Sequence, residues 1–184
     1  MLRSNKELWL AFVFCVLITG LYGVVVVWTR EIPAAGELFG HSIGIVGFVL
    51  MLMTEILYSL RKRSRSAGLG RMSTWLQFHI FTGLVGPFMV LLHTSWKFNG
   101  LAGATTLLTI IIVFSGFIGR YIYTRIPRTM DGLEIEGTLS QEALKQARRL
   151  MSLWHTVHIP IGMALFISAF IHVGAALYYA TFLR

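Results

Sequence analysis

The chain has 184 residues, of which 55% are hydrophobic and only 13% charged, and its formal net charge is +8. In soluble domains about a quarter of the residues are charged, so this composition excludes an ordinary soluble domain and is typical of an integral membrane protein. The single cysteine, Cys15, excludes both an internal disulfide framework and a CxxC metal site.

Five apolar stretches are long enough to cross a hydrocarbon core, which takes about 20 helical residues. We therefore predict an all-α integral membrane protein, a single membrane domain over residues 1–184, with five transmembrane helices in one helical bundle. The first stretch is longer than a signal-peptide core and lacks a cleavage pattern, so we expect it to be retained. The predicted spans are 8–28, 39–60, 74–95, 101–123 and 152–181.

The positions of the basic residues predict the orientation of these spans. With the N-terminus inside, only Arg30, Lys97 and Arg184 of the sixteen lysines and arginines fall on outer segments, as the positive-inside rule requires. We therefore predict a multi-pass protein of the cytoplasmic (inner) membrane, with the C-terminus outside and cytoplasmic loops at 61–73 and 124–150. This placement of the basic residues predicts that they contact the lipid bilayer and do not bind nucleic acid.

The loop at 124–150 is the longest polar stretch of the chain. Thr138 followed by Gln141 fits a capping box, and residues 139–149 have helical composition. The fifth helix is therefore predicted to start in the cytoplasm and to enter the membrane near Met151. The loop is either a docking surface for a partner or a solvated connection.

Two of the predicted spans share one pattern. Residues 75–93 and 154–172 both contain Trp, three residues, His-Ile, two residues, Gly, nine residues and His. The two histidines of each stretch are fourteen residues apart, which is close to four helical turns. His79 and His93 are therefore expected on one helix face, about 21 Å apart along the axis.

The second stretch repeats this geometry with His158 and His172, so the histidines form two pairs at two depths. A histidine inside a membrane is costly without a partner and is a functional candidate. A bare metal ion would need further ligands at the same depth, whereas a porphyrin iron needs only two axial ones. We predict two haem b groups: an inner one whose iron is bound by His79 and His158, and an outer one whose iron is bound by His93 and His172. Covalent attachment is not expected, because CxxCH is absent.

Three glycines are predicted to belong to these haem sites. A missing side chain would let a flat macrocycle approach the helix backbone, and close helix packing is the alternative explanation. One glycine lies midway between the two histidines of its helix, and the other two lie one turn after an inner histidine. They are Gly86, Gly83 and Gly162.

Arginines near the inner surface are candidates for binding the propionates of the inner haem. Arg71, Arg148 and Arg149 have the charge and geometry for this role. The positive-inside distribution explains the same residues equally well.

Other titratable groups leave alternatives open. His155 is a rival to His158 as the inner ligand, but its spacing to His172 places it about 100° off the shared face, so we prefer His158. His155 would then contact a propionate or the backbone. His41 and Glu37 weakly support a quinone site near the outer surface. In the alternative interpretation there is no such site, and His41 has no special role.

The histidine pattern resembles the di-haem membrane cytochromes b, most closely the ferric-reductase-like transmembrane domain family. That family carries two histidines about fourteen residues apart on each of two helices separated by one span. The resemblance covers about residues 74–181 and implies a haem-binding helical bundle. Members of the family continue into a flavin and nicotinamide domain, but this chain has no Gly-rich nucleotide motif, so the resemblance does not extend to an NADPH donor.

The predicted function is that of an electron-transfer subunit of a membrane oxidoreductase complex, such as a respiratory-chain complex. Electrons would pass across the membrane between a partner protein or quinone pool and the opposite face. One alternative is a membrane anchor that oxidises a quinol or reduces a quinone. Another is a small non-haem transporter or structural anchor, which Pro87 and Pro160 favour faintly as helix breaks.

Overall fold

The computed structural model describes residues 5–63, 71–126 and 140–182, which form five helices and no strand. Each helix is long and apolar enough to cross a membrane. This confirms the predicted all-α membrane protein, and the first four helices end within three residues of the predicted spans. The helices are α1 (Lys6–Thr29), α2 (Leu38–Arg63), α3 (Met72–His93), α4 (Gly100–Arg125) and α5 (Gln141–Phe182).

The last helix, α5, begins well before the predicted span at 152–181. The backbone N–H of Ala143 donates a hydrogen bond of 3.2 Å to Oγ of Ser140, which is the contact of an N-cap side chain. Ser140 therefore caps this helix. Thr138, the predicted cap, lies outside the described residues. Since α5 has 42 residues and a hydrocarbon core takes about 20, its polar first turns extend beyond the membrane.

Contacts between helix ends show that successive helices alternate in direction. Arg120, near the end of α4, forms a buried ion pair of 2.8 Å with Glu7 in the first turn of α1. His93, the last residue of α3, contacts Gly40 near the start of α2. Tyr22 in the second half of α1 lies against Phe39 at the start of α2, and α5 runs antiparallel to α4, since Trp154 bonds to Ser115 and Ser168 to Thr105. The starts of α1, α3 and α5 therefore share one end of the bundle with the ends of α2 and α4. We call it the basic end, because most described basic residues lie there: Lys6, Arg61, Lys62, Arg63, Arg71, Arg120, Arg125, Lys145, Arg148 and Arg149.

The helices are arranged as two close pairs. α2 packs along α3, α4 packs along α5, and α1 lies against α3, which also has a smaller contact with α4. Within the described ranges, α3 and α5 are not closely packed on each other. The two helices with the repeated histidine pattern are thus each backed by a different neighbour.

Two glycines bring α2 and α3 into backbone contact. A Cβ placed on Gly47 would lie 2.8 Å from the carbonyl oxygen of Gly86, and one placed on Gly86 would lie 2.9 Å from the carbonyl oxygen of Gly47. Both distances are well inside van der Waals contact. Small residues are therefore what allows this close helix approach.

Alanine at Gly86 is expected to lower the free energy of unfolding by about 1–3 kcal/mol, because the added methyl group must push the two helices apart. Unfolding of the detergent-solubilised protein by heat or denaturant measures this change. Gly23→Ala on α1 is the matched control, since an added Cβ there meets nothing within 4 Å. An equal effect of the two substitutions would contradict the backbone contact.

Candidate functional site

His79 of α3 is held by the backbone of α2. Its Nδ1 lies 3.1 Å from the carbonyl oxygen of Thr54. A carbonyl oxygen can only accept a hydrogen bond, so Nδ1 must carry the hydrogen, and in the neutral ring Nε2 keeps a free lone pair. The phenol ring of Tyr58 lies beside the imidazole, with ring centroids 4.7 Å apart. With the hydrogen on Nδ1, a histidine can bind a metal through Nε2.

His93 is held in the same way at the other end of α3. Its Nδ1 donates a hydrogen bond of 2.9 Å to the carbonyl oxygen of Gly40 on α2, so its Nε2 is also the free nitrogen. The ring lies directly against Gly44, where an added Cβ would come within 2.6 Å of Cγ and Nδ1. Gly44 therefore provides the space that the His93 ring occupies.

His158 of α5 contacts α4 through a side chain. Its Nδ1 lies 2.9 Å from Oγ of Ser115. The centroid of its ring lies 4.5 Å from that of the Trp154 indole. Because a hydroxyl both donates and accepts, this contact is compatible with either tautomer. In either case, the contact fixes the position of the His158 ring against α4.

His172, the fourth histidine, is half-buried near the other end of α5. In the part of the chain that the structure describes, it makes no hydrogen bond to the protein. It is close enough to His93 to interact with it electrostatically. His158 interacts in the same way with His79.

The four predicted ligands therefore lie at two levels of the bundle, where electrostatic interaction links His79 with His158 and His93 with His172. We call His79 with His158 the first pair, which lies nearer the basic end, and His93 with His172 the second pair. Within each pair, one histidine comes from α3 and the other from α5. These two helices are not closely packed on each other.

Neither pair is extended by further protein ligands. Among the described residues, no group of three or more His, Cys, Asp or Glu side chains is placed to hold a metal ion. A bare transition-metal ion would thus have two ligands where it commonly takes four or more. A group that brings its own equatorial donors, and needs only two axial nitrogens, fits the donor set.

The three candidate glycines have different surroundings. An added Cβ on Gly83 would meet Thr54 at 3.4 Å, so Gly83 faces α2, as Gly86 does. The tight approach at Gly86 supports the alternative explanation of close helix packing, and clearance for a macrocycle stays a prediction at Gly83. On α5, a Cβ at Gly162 would make only an ordinary contact of 3.8 Å with Ile112, and clearance for a macrocycle stays a prediction there.

The candidate arginines lie at the basic end. Arg71 is the residue before the first turn of α3, and Arg148 and Arg149 lie on α5 beyond the apolar part of that helix. All three are exposed. Arg149 precedes His158 by nine residues, which is about 14 Å along the helix. The structure places these side chains at the end where the first pair lies, and their contact with propionates stays a prediction.

Three other candidates from the sequence have contacts in the structure. His41 is exposed, and its ring centroid lies 6.4 Å from that of His93. Glu37 has a local structural contact, because its Oε2 accepts a hydrogen bond of 3.1 Å from the backbone N–H of Ala34. His155 is half-buried beside Trp154, with ring centroids 4.7 Å apart.

Comparison of the chain with protein-family models, with curated proteins and with solved structures finds no match. The family resemblance of the histidine pattern is therefore a prediction, and the function has to be argued from the geometry of the site.

Sequence reasoning missed the residues that hold the histidines. Gly40, Gly44 and Gly47 occupy one side of α2 at helical spacing, a pattern that indicates close approach of a neighbouring helix. Ser115 is a polar residue within the apolar helix α4, which indicates a contact with a neighbouring helix less clearly than the glycine pattern does. Thr54 contacts His79 through its backbone carbonyl oxygen. Every residue type has this oxygen, so the sequence does not indicate the contact.

Proposed function

We propose that this chain is a b-type di-haem cytochrome that carries electrons across a membrane as a subunit of an oxidoreductase complex. His79 and His158 would bind one haem iron, and His93 and His172 the other. Bound there, haem supplies reversible one-electron chemistry of iron. The carrying observation is the pair of hydrogen bonds from His79 and His93 to backbone carbonyl oxygens, because they leave Nε2 of both rings unprotonated and free to bind a metal.

Other parts of the chain have supporting roles in this proposal. α2 fixes the rings of His79 and His93, and α4 fixes the ring of His158, so that these three rings need little reorganisation when a ligand binds. The apolar helices would surround both pairs with mainly apolar side chains. At the basic end, Arg71 and Arg149 would bind propionates. With that end in the cytoplasm, the N-terminus lies inside and the C-terminus outside the cytoplasmic membrane, and electrons pass between a partner protein or quinone pool on one side and the opposite face.

The test is a visible spectrum and haem assay of the purified chain, expressed with a sufficient haem supply. We expect two haems per chain, removable by acidified organic solvent, with a Soret band and α-bands that appear on reduction with dithionite. A folded chain without a Soret band would overturn the proposal and favour the non-haem transporter or anchor. One equivalent of haem, unaffected by substitution of either pair, would also overturn it.

A further inference from the structure

One serine of α4 contacts two aromatic side chains of α5. The backbone carbonyl oxygen of Ser115 accepts a hydrogen bond of 2.7 Å from Nε1 of Trp154. Its hydroxyl oxygen lies 2.9 Å from Nδ1 of His158. The two rings are one helical turn apart, their centroids are separated by 4.5 Å, and their planes differ by 30°. A single residue thus determines the position of both rings.

The surface of α4 next to this serine is shaped for the indole. Gly119 follows Ser115 by one turn, and a Cβ added there would collide with the six-membered ring of Trp154. The indole therefore lies in a notch in α4, with its N–H directed at Ser115 and one side close to the imidazole. Rotation of His158 about its side-chain bonds is restricted by the indole on one side and by the hydroxyl at Nδ1.

We propose that Ser115 is a positioning residue for the first pair, which fixes the ring of His158 and sets the reduction potential of the iron that this ring binds. The inference rests on the proposed function. If His158 binds iron through Nε2, Nδ1 carries the hydrogen and donates it to Oγ of Ser115. Such a hydrogen bond makes the imidazole a stronger electron donor, which stabilises ferric over ferrous iron and lowers the potential.

Ser115→Ala removes the hydroxyl and keeps the carbonyl oxygen that holds Trp154. We expect the first-pair haem to become easier to reduce, with a shift in its reduction equilibrium of about threefold to tenfold; tenfold is about 59 mV for a one-electron couple. The second-pair potential should not change. Ser115→Thr retains a hydroxyl and should return the potential toward that of the unsubstituted chain.

The measurement is a spectroelectrochemical titration of the haem-loaded chain, with electron paramagnetic resonance as a second readout of ligand orientation. His172→Ala, which should retain only the first-pair haem, assigns the potentials. Thr106→Ala is the matched control, since its buried hydroxyl bonds only to the carbonyl oxygen of Ala102 in its own helix.

The outcomes separate the two proposals. If the unsubstituted chain binds no haem, the proposed function itself fails. If it binds two haems and Ser115→Ala leaves the first-pair potential unchanged, with or without a lower haem content, only the positioning role fails. A shift of the same size in Thr106→Ala would also overturn the positioning role, because the effect would then come from packing of α4.

Discussion

If the chain binds two haems as proposed, alanine at either His79 or His158 should reduce the haem content from two to one per chain. Each substitution removes one of the two imidazole nitrogens that are proposed to bind iron at the first pair. Haem that remains bound at this pair would change from six-coordinate low-spin to five-coordinate high-spin iron, which visible and paramagnetic resonance spectra distinguish. The second pair, about 21 Å further along each helix, should keep its haem.

His155→Ala tests the choice of ligand on α5. His155 precedes His158 by one turn and also lies beside Trp154, so the substitution changes the same region without removing the proposed ligand. The low-spin spectrum of both haems should survive it. Loss of the first-pair haem in His155→Ala but not in His158→Ala would show that the ligand has been assigned to the wrong histidine.

The spans, and the placing of two histidines on one face of each helix, could be predicted because both depend on local patterns. Span length follows from hydropathy and helix rise, and a spacing of fourteen residues places two side chains on one face whatever surrounds the helix. The starting point of α5 was less predictable. Thr138 and Ser140 are both good N-cap residues, and the structure uses Ser140.

The contacts that hold the histidine rings could not be predicted, because they depend on which helices pack together. His79 finds its partner on α2, 25 residues earlier, and His158 finds its partner on α4, 43 residues earlier. The sequence pattern relates α3 to α5, whereas the closest packing is of α3 on α2 and of α5 on α4. For the same reason, the sequence does not indicate that Gly86 lies against Gly47 of α2.

The two pairs differ in how firmly the protein holds them. In the first pair, α2 holds His79 and α4 holds His158. In the second pair, α2 holds His93, but His172 has no hydrogen bond within the described part of the chain. Orientation of the second pair therefore depends mainly on His93, and disturbance of that one ring should be enough to disable the second pair.

Gly44→Ala disturbs that ring without changing any histidine. The added Cβ would lie 2.6 Å from Cγ and Nδ1 of His93, so the imidazole must move and its hydrogen bond to the carbonyl oxygen of Gly40 must lengthen or break. Loss of such an orienting contact typically weakens metal binding by about 10- to 100-fold. We expect the second-pair haem to be lost or to become high-spin, and the first-pair haem to stay low-spin.

The first-pair haem serves as an internal control in this experiment, because its retention shows that the bundle is still folded. Gly20→Ala on α1, where an added Cβ meets nothing within 4 Å, should leave both haems in place and controls for the general effect of alanine on a membrane helix. Gly44→Val adds more volume at the same point and should remove the second-pair haem more completely than alanine. Two low-spin haems in both Gly44 variants would show that the His93 ring does not bind iron from the position in which the structure places it.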